Sequence, residues 1–173
     1  MRQEARVRLA RSADLPLLPA IERSAAALFA SQPGLAHLAE GEVIPVTEHV
    51  QYLADNCLWV AEITNTIGGF LAATEVAGNF HIREVSVDRS AQGQGLGRAL
   101  IETVLRAATE RGFTAATLTT FRDVPWNAPF YARIGFRVLE QAELTPALAA
   151  ILTEELAHGM PEGSRCAMLC SLG

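Results

Sequence analysis

The residues best placed to do chemistry are Gln92-Gly93-Gln94-Gly95-Leu96-Gly97, set between an apolar run ending in Val85-Ser86-Val87 and a helical pattern. Glycine lets the backbone turn tightly and lets a ligand approach with no Cβ in the way. The first turn of the helix that follows has N–H groups without intrahelical acceptors and the positive end of the helix dipole. A strand, a glycine loop and a helix start together make a site for an anion such as a pyrophosphate. The plainer alternative, a glycine-rich change of direction, accounts less well for three glycines at alternate positions. The dinucleotide pattern G-x-G-x-x-G fails, because a motif begun at Gly93 needs glycine where Arg98 stands. The ATP-type loop fails too, since no Gly-Lys-Ser/Thr follows.

Metal chemistry has little support. Cys57, Cys166 and Cys170 are scattered, as are His37, His49, His81 and His158, and none shows metal-ligand spacing. Cys166 and Cys170 share one face of the last strand and read as reduced, mostly buried residues.

The elements that must position the loop follow from periodicity. Residues 6–10 alternate as a short strand. Ser12 or Asp14 caps a helix in which Leu17, Leu18, Ile21, Ala25, Leu28 and Phe29 recur, and Pro33 stops it. Residues 35–46 are irregular or a short helix. Thr47 caps a helix to about residue 55 with Val50, Leu53 and Ala54 inward. Strands over 58–63 and 67–76 form a hairpin about the turn at 64–66, and a turn at 77–79 leads to a strand over 80–87. A long helix from Leu96 ends at Gly112. A strand over 113–121, a short helix over 125–134 and a strand over 136–139 come next. Thr145-Pro146 opens a helix to about residue 158, with Glu154 and Glu155 on its solvated face, and the last strand covers 165–169.

The chain has 173 residues, half of them apolar, and a net charge of -5. That is enough for one domain with a real core. There is no Lys/Arg stripe for nucleic acid, no apolar run of membrane length and no leader after Met1. No nucleic-acid or membrane partner is expected, and the cytoplasm is the default location. With no repeat or linker, residues 1–173 read as a single domain.

Gln92, Gly95 and Gly97 match the Gln/Arg-x-x-Gly-x-Gly/Ala motif of the GNAT superfamily, which the chain resembles. Asn127-Ala128-Pro129-Phe130-Tyr131-Ala132-Arg133-Ile134-Gly135-Phe136 resembles that family's Asn…Tyr…Gly-Phe segment, about 30 residues further on. The resemblance implies an α/β fold with a central twisted mixed sheet of about seven strands, flanked by helices and splayed between the fourth and fifth strands. It implies acetyl-CoA as cosubstrate, with no metal. Backbone groups of Val85 and Val87 would meet the pantetheine and the thioester. Gly93, Gln94, Gly95, Leu96, Gly97 and Arg98, with Gln92, would hold the pyrophosphate, and Asn127 would bond the pantetheine or its neighbourhood.

The implied reaction is direct acetyl transfer to a primary amine of a small molecule or peptide in a ternary complex. Such a transfer needs a neutral nitrogen, a donor for the oxyanion and a proton for the leaving thiolate. Tyr131 matches the family's frequent general acid; its alternative role is packing beside Phe130 and Phe136. Glu84 is the first candidate base, since a carboxylate between Ile82 and Val85 in a central strand is partly desolvated. An ion pair with an arginine is the other reading of Glu84. Glu22 and His81 stand behind it, and Trp126 either lines the acceptor site or packs the loop. A homodimer is common among such proteins. The insertion over 140–164 departs from the family's closing hairpin and leaves the acceptor open. Two rival readings are a non-catalytic acyl-CoA-binding regulatory module and a scaffold whose loop binds nothing.

Overall fold

The structure, a computed structural model, describes residues 4–173. The leaderless start read at Met1 lies outside the described residues. The alternation at the N-terminus gives β1 (Arg6–Leu9), followed by a 3-10 turn over Ser12–Leu17 and by α1 (Leu18–Ala26). The first helix is therefore shorter than its apolar spacing suggests. Leu18 and Ile21 are buried, but Leu17 sits in the 3-10 turn and is 51 % exposed. Two more 3-10 segments follow, Ala27–Ser31 and Ala36–Glu40.

The helix α2 (Val46–Ala54) starts from Pro45, and Thr47 makes no cap. Its inward face also differs from the expected one. His49 and Tyr52 are buried, whereas Val50 is half exposed. Ring contacts fix this phase: His49 meets Phe70 edge-on at 5.2 Å between centroids. Neither ring nitrogen of His49 has a hydrogen-bond partner, and burial holds its pKa below the ordinary value.

The remaining elements are β2 (Leu58–Ile63), β3 (Thr66–Val76), β4 (Asn79–Val87), α3 (Leu96–Glu110), β5 (Ala115–Phe121), α4 (Ala128–Ala132), β6 (Arg137–Val138), α5 (Pro146–Ala157) and β7 (Arg165–Ser171). The turn before β3 has Thr64 and Asn65 at φ 51 and 60°. Two consecutive left-handed residues are what a tight type I′ hairpin turn demands. The strands form the seven-stranded mixed sheet of an α/β fold, in the order β1-β2-β3-β4-β5-β7-β6. Pairing is antiparallel in β1–β2, β2–β3, β5–β7 and β6–β7, and parallel in β4–β5, where His81 lies opposite Thr117. Among the described residues no helix is long and apolar enough to cross a membrane.

The chain divides into two compact units, Met1–Ala73 with Glu84–Val104, and Thr74–Arg83 with Leu105–Gly173. In the first, Leu15, Leu18, Ile21, Tyr52, Leu58, Val60 and Phe70 belong to one core cluster. Arg8 ties its edge together. Its guanidinium donates to both carboxylate oxygens of Asp14, at 2.8 and 3.1 Å, and to Glu62 at 2.9 Å. The Arg8 hydrogen bond, above all, holds the Asp14 carboxyl below its usual range.

In the second unit the insertion is ordered as α5, capped by the Thr145 hydroxyl as expected. Leu148 packs with Leu139 and Ala167. Glu155 is not on a solvated face. It accepts a two-pronged bond from Arg165 at 3.0 and 3.1 Å and a third from the Thr119 hydroxyl at 2.5 Å, anchoring α5 to β5 and β7. Cys166 and Cys170 are free and buried, as read from their spacing.

Candidate functional site

The glycine loop lies wholly in the first unit, between β4 and α3. β4 delivers Glu84, Val85 and Val87, all half-buried. The Gln92 side-chain amide donates to the Val87 carbonyl at 3.1 Å, which pins the loop to the end of the strand. Asp88 folds the next residues, with Oδ1 accepting from the Ser90 N–H at 2.9 Å and the Ser90 hydroxyl at 2.6 Å. The Arg89 N–H donates to the Ser24 hydroxyl of α1 at 3.1 Å, so α1 supports the loop as well.

Gly93 and Gly95 have φ of 75° and 85°, and a Cβ built on either meets nothing within 4 Å. These glycines are needed for their left-handed backbone and not for tight packing, and they leave open space above the loop. Gly95 is the residue before the helix: its carbonyl accepts from the Ala99 N–H at 3.0 Å. It brings no side-chain oxygen to cap the N–H groups of Leu96, Gly97 and Arg98, which helix geometry leaves without intrahelical acceptors. The Leu96 side chain is buried and fixes the start of the helix, while Arg98 points outward in an ion pair with Glu102 at 2.7 Å. Donors facing open space at the positive end of a 15-residue helix suit a diphosphate.

The sequence reading missed the pair that lets the loop come so close. Gly68 and Gly69 lie within β3. A Cβ on Gly68 would sit 2.8 Å from the Ala91 Cβ and 3.0 Å from Leu96 Cδ2; one on Gly69 would sit 3.0 Å from the Ser86 carbonyl oxygen. Two glycines inside an apolar strand are themselves a signal of close backbone approach. We expect Gly68→Val to lower stability by about 1–3 kcal/mol through overpacking. It should also weaken coenzyme A binding, because Ala91 and Leu96 must move; melting curves with and without the ligand check both effects.

Two carboxyls of the first unit feel each other. Glu22, on α1, is 8 % exposed, and both its oxygens accept from the Ile44 N–H at 3.0 Å. Burial, then the charge of Glu84, pushes its pKa up to about 8. Glu84 accepts from the Ser86 hydroxyl at 2.9 Å. His81, the other reserve candidate, belongs to the second unit. It is buried, 2.9 Å from the Thr117 hydroxyl, with a pKa near 4 from burial first and Arg83 second. A histidine so placed is a neutral core residue.

Asn127 and Tyr131 also belong to the second unit. Asn127 precedes α4, and its Oδ1 accepts from the Thr120 hydroxyl at 2.7 Å, stapling the loop to β5. What its side chain can still offer a ligand is its NH2 group. Tyr131 is half-buried, with its ring 5.3 Å from that of Phe130 and 6.0 Å from that of Phe136. That cluster satisfies the packing role and leaves the acid role open. Among the described residues no group of three or more His, Cys, Asp or Glu is placed to hold a metal.

Comparison with known proteins bears on the family. The profile described as an acetyltransferase (GNAT) domain matches residues 54–138, a span that holds the glycine loop, Asn127 and Tyr131. The chain belongs to the GNAT superfamily. This GNAT chain is 31 % identical over 116 residues to the N-acetyltransferase 8F1 of Rattus norvegicus, covering 62 % of this chain and 52 % of that protein. It thus spans about half the length of the curated relatives it matches. The PaiA N-acetyltransferase of Thermoplasma acidophilum, solved in complex with coenzyme A, has the same fold with a TM-score of 0.69 and 14 % identity, over 97 % of this chain and 99 % of that one. The N-acetylglutamate synthase of Neisseria gonorrhoeae, complexed with coenzyme A and N-acetyl-glutamate, superposes with a TM-score of 0.71 at 17 % identity, over 98 % of this GNAT chain and 35 % of that one.

Proposed function

We propose that this GNAT protein moves the acetyl group of acetyl-CoA onto a primary amine of a small molecule or peptide, by direct transfer in a ternary complex. The observation that carries the reading is Gly95 at the head of α3, holding a left-handed backbone with no side chain over the first-turn N–H groups. Those donors, with Gln92 to Arg98 around them, bind the pyrophosphate. Acetyl-CoA supplies the activated acetyl thioester. Backbone groups of Val85 and Val87 orient it, except that the Val87 carbonyl is already taken by Gln92. As the amine nitrogen bonds to the acetyl carbon, its proton leaves to a carboxylate, for which Glu84 and Glu22 are the candidates. Tyr131 gives its hydroxyl proton to the departing sulfur and recovers one from solvent. N-acetyltransferase relatives and fold neighbours solved with coenzyme A support the same reading.

The test is thermal unfolding with acetyl-CoA, CoA, NAD and ATP added separately. A ligand that binds the native state at 100 times its Kd adds about 2.7 kcal/mol. In a domain of this size that raises the midpoint by about 5–11 °C. Stabilisation by acetyl-CoA and CoA alone is the expected result. No shift with saturating CoA would overturn the assignment of the loop.

A further inference from the structure

Thr119 and Thr120 are neighbours in β5, so strand alternation sends their hydroxyls to opposite faces of the sheet. Each hydroxyl is taken by a residue of another segment. On one face Thr119 donates to Glu155 of α5 at 2.5 Å; on the other Thr120 donates to Asn127 Oδ1 at 2.7 Å. The Phe121 N–H reaches the same Asn127 oxygen at 3.5 Å. These bonds fall where β5 has lost one of its neighbours. Among the described residues its pairing with β4 ends at Ile82 opposite Leu118, and from Thr119 to Phe121 the ladder runs to β7, with Phe121 opposite Arg165.

Glu155 holds more than its own helix. Arg165 donates to both of its oxygens, at 3.0 and 3.1 Å, and reaches the Thr119 hydroxyl at 3.4 Å. The same guanidinium lies over the Phe121 ring, 4.5 Å from its centroid. A two-pronged bond of this kind fixes the direction of both partners as well as their distance. From the end of β5 the bonds continue. Thr120 and Phe121 hold the Asn127 side chain, and the Asn127 carbonyl accepts from the Tyr131 N–H at 3.0 Å. Every residue on this path belongs to the second unit. α4 has five residues, and a helix that short does not hold its own place; it takes its position from what grips its first turn.

We propose that Glu155 is a positioning residue for Tyr131, so that the insertion over 140–164 acts on the reaction by fixing the aim of the hydroxyl that protonates the departing sulfur. The inference rests on the acetyl-transfer reading above, with Tyr131 as its acid. In that step the carbon–sulfur bond breaks with its electron pair going to sulfur, sulfur takes the Tyr131 hydroxyl proton, and the phenolate is reprotonated from solvent. Glu155 exchanges no proton. It holds the end of β5, β5 holds Asn127, and Asn127 sets where α4 starts. A general acid works only within hydrogen-bond reach of its target, about 2.6–3.2 Å, so a small displacement of α4 lowers the rate with Tyr131 itself unchanged. A Glu155 that served only to anchor α5 would affect stability and leave the Tyr131 ring where it is.

The chain has two tyrosines, Tyr52 in the first unit and Tyr131 in the second. Ring-labelled tyrosine therefore gives two NMR signals, which Tyr131→Phe assigns and of which Tyr52 is the internal control. Three variants probe the path. Glu155→Gln keeps the shape but removes the charge that Arg165 grips, Thr120→Val removes the hydroxyl on Asn127, and Thr120→Ser keeps it. Thiol release from acetyl-CoA is followed with trifluoroethylamine, alaninamide and spermidine as amines. Glu155→Gln and Thr120→Val should each move the Tyr131 signal, leave that of Tyr52 in place and lower kcat about 10-fold. Thr120→Ser should match wild type in both readouts. Added to Tyr131→Phe, Glu155→Gln should cost at most about twofold more, because the group it aims is gone. Single melting transitions show that the variants are folded. An unmoved Tyr131 signal in folded Glu155→Gln, or an equal loss with and without the Tyr131 hydroxyl, overturns the inference and leaves acetyl transfer standing. If Tyr131→Phe turns over as wild type, or if wild type binds CoA and acetylates none of the amines, the reading beneath falls and takes the inference with it.

Discussion

Tyr131→Phe should lower turnover about 100-fold while CoA affinity stays within about twofold, as expected for loss of one proton donor. The size of the loss follows from the leaving group. A thiol with a pKa near 8.5 departs tolerably well as an anion, so the proton Tyr131 supplies is worth the low end of the usual range for general-acid catalysis, about 10²- to 10⁴-fold. Phenylalanine keeps the ring contacts to Phe130 and Phe136 at 5.3 and 6.0 Å, so packing in the second unit is preserved. The two roles open to Tyr131 thus give opposite results. If the residue only packs, the variant turns over as wild type; if it is the acid, kcat falls and the CoA-induced rise in melting temperature does not. Steady-state thiol release, measured beside that rise, separates them.

Local signals in the sequence translated well. The glycine loop, the Thr145 cap with Pro146 behind it and the turn at Thr64-Asn65 each depend on a backbone preference that one or two residues carry by themselves. Interactions that need a partner distant in sequence did not show. The phase of α2 differs from the expected one because His49 and Tyr52 count as polar and Val50 as apolar, yet rings fill the space against Phe70 while a small valine tolerates solvent. Glu155 looked like any helix-surface glutamate until Arg165 and Thr119 converged on it.

The same distinction explains what was seen of the site. Gln92, Gly95 and Gly97 are a contiguous motif and were legible. Gly68 and Gly69 serve the loop from a different strand, and their purpose depends on where Ala91, Leu96 and Ser86 come to rest. Glu22 could be named as a candidate from its place on the first helix, but its burial, its bond from Ile44 and the nearby charge of Glu84 are properties of the fold. Glu84 was expected to be the desolvated carboxyl of the group. Glu22 is the one buried to 8 % exposure, and Glu84 has a hydroxyl donor beside it.

Gly95→Asp should weaken CoA binding by about 100-fold and leave the protein folded. Three effects bear on the position. Any side chain at φ 85° is strained by about 1 kcal/mol, though aspartate tolerates the left-handed region better than most residues. A carboxylate at the head of α3 is favoured by the helix dipole by about 0.3–1 kcal/mol, so strain and dipole nearly cancel in stability. Against the ligand the same charge works in one direction only. It occupies the donors of Leu96, Gly97 and Arg98 and repels a doubly charged pyrophosphate, and a loss of about 2.7 kcal/mol corresponds to the hundredfold weakening. Gly95→Ala isolates the strain, because it bears the same backbone cost without the charge. Calorimetric titration with CoA should place wild type and Gly95→Ala together and both far above Gly95→Asp, and without ligand Gly95→Ala should unfold about 2–4 °C below the other two. Equal affinity in the folded aspartate variant would place the pyrophosphate somewhere other than this loop.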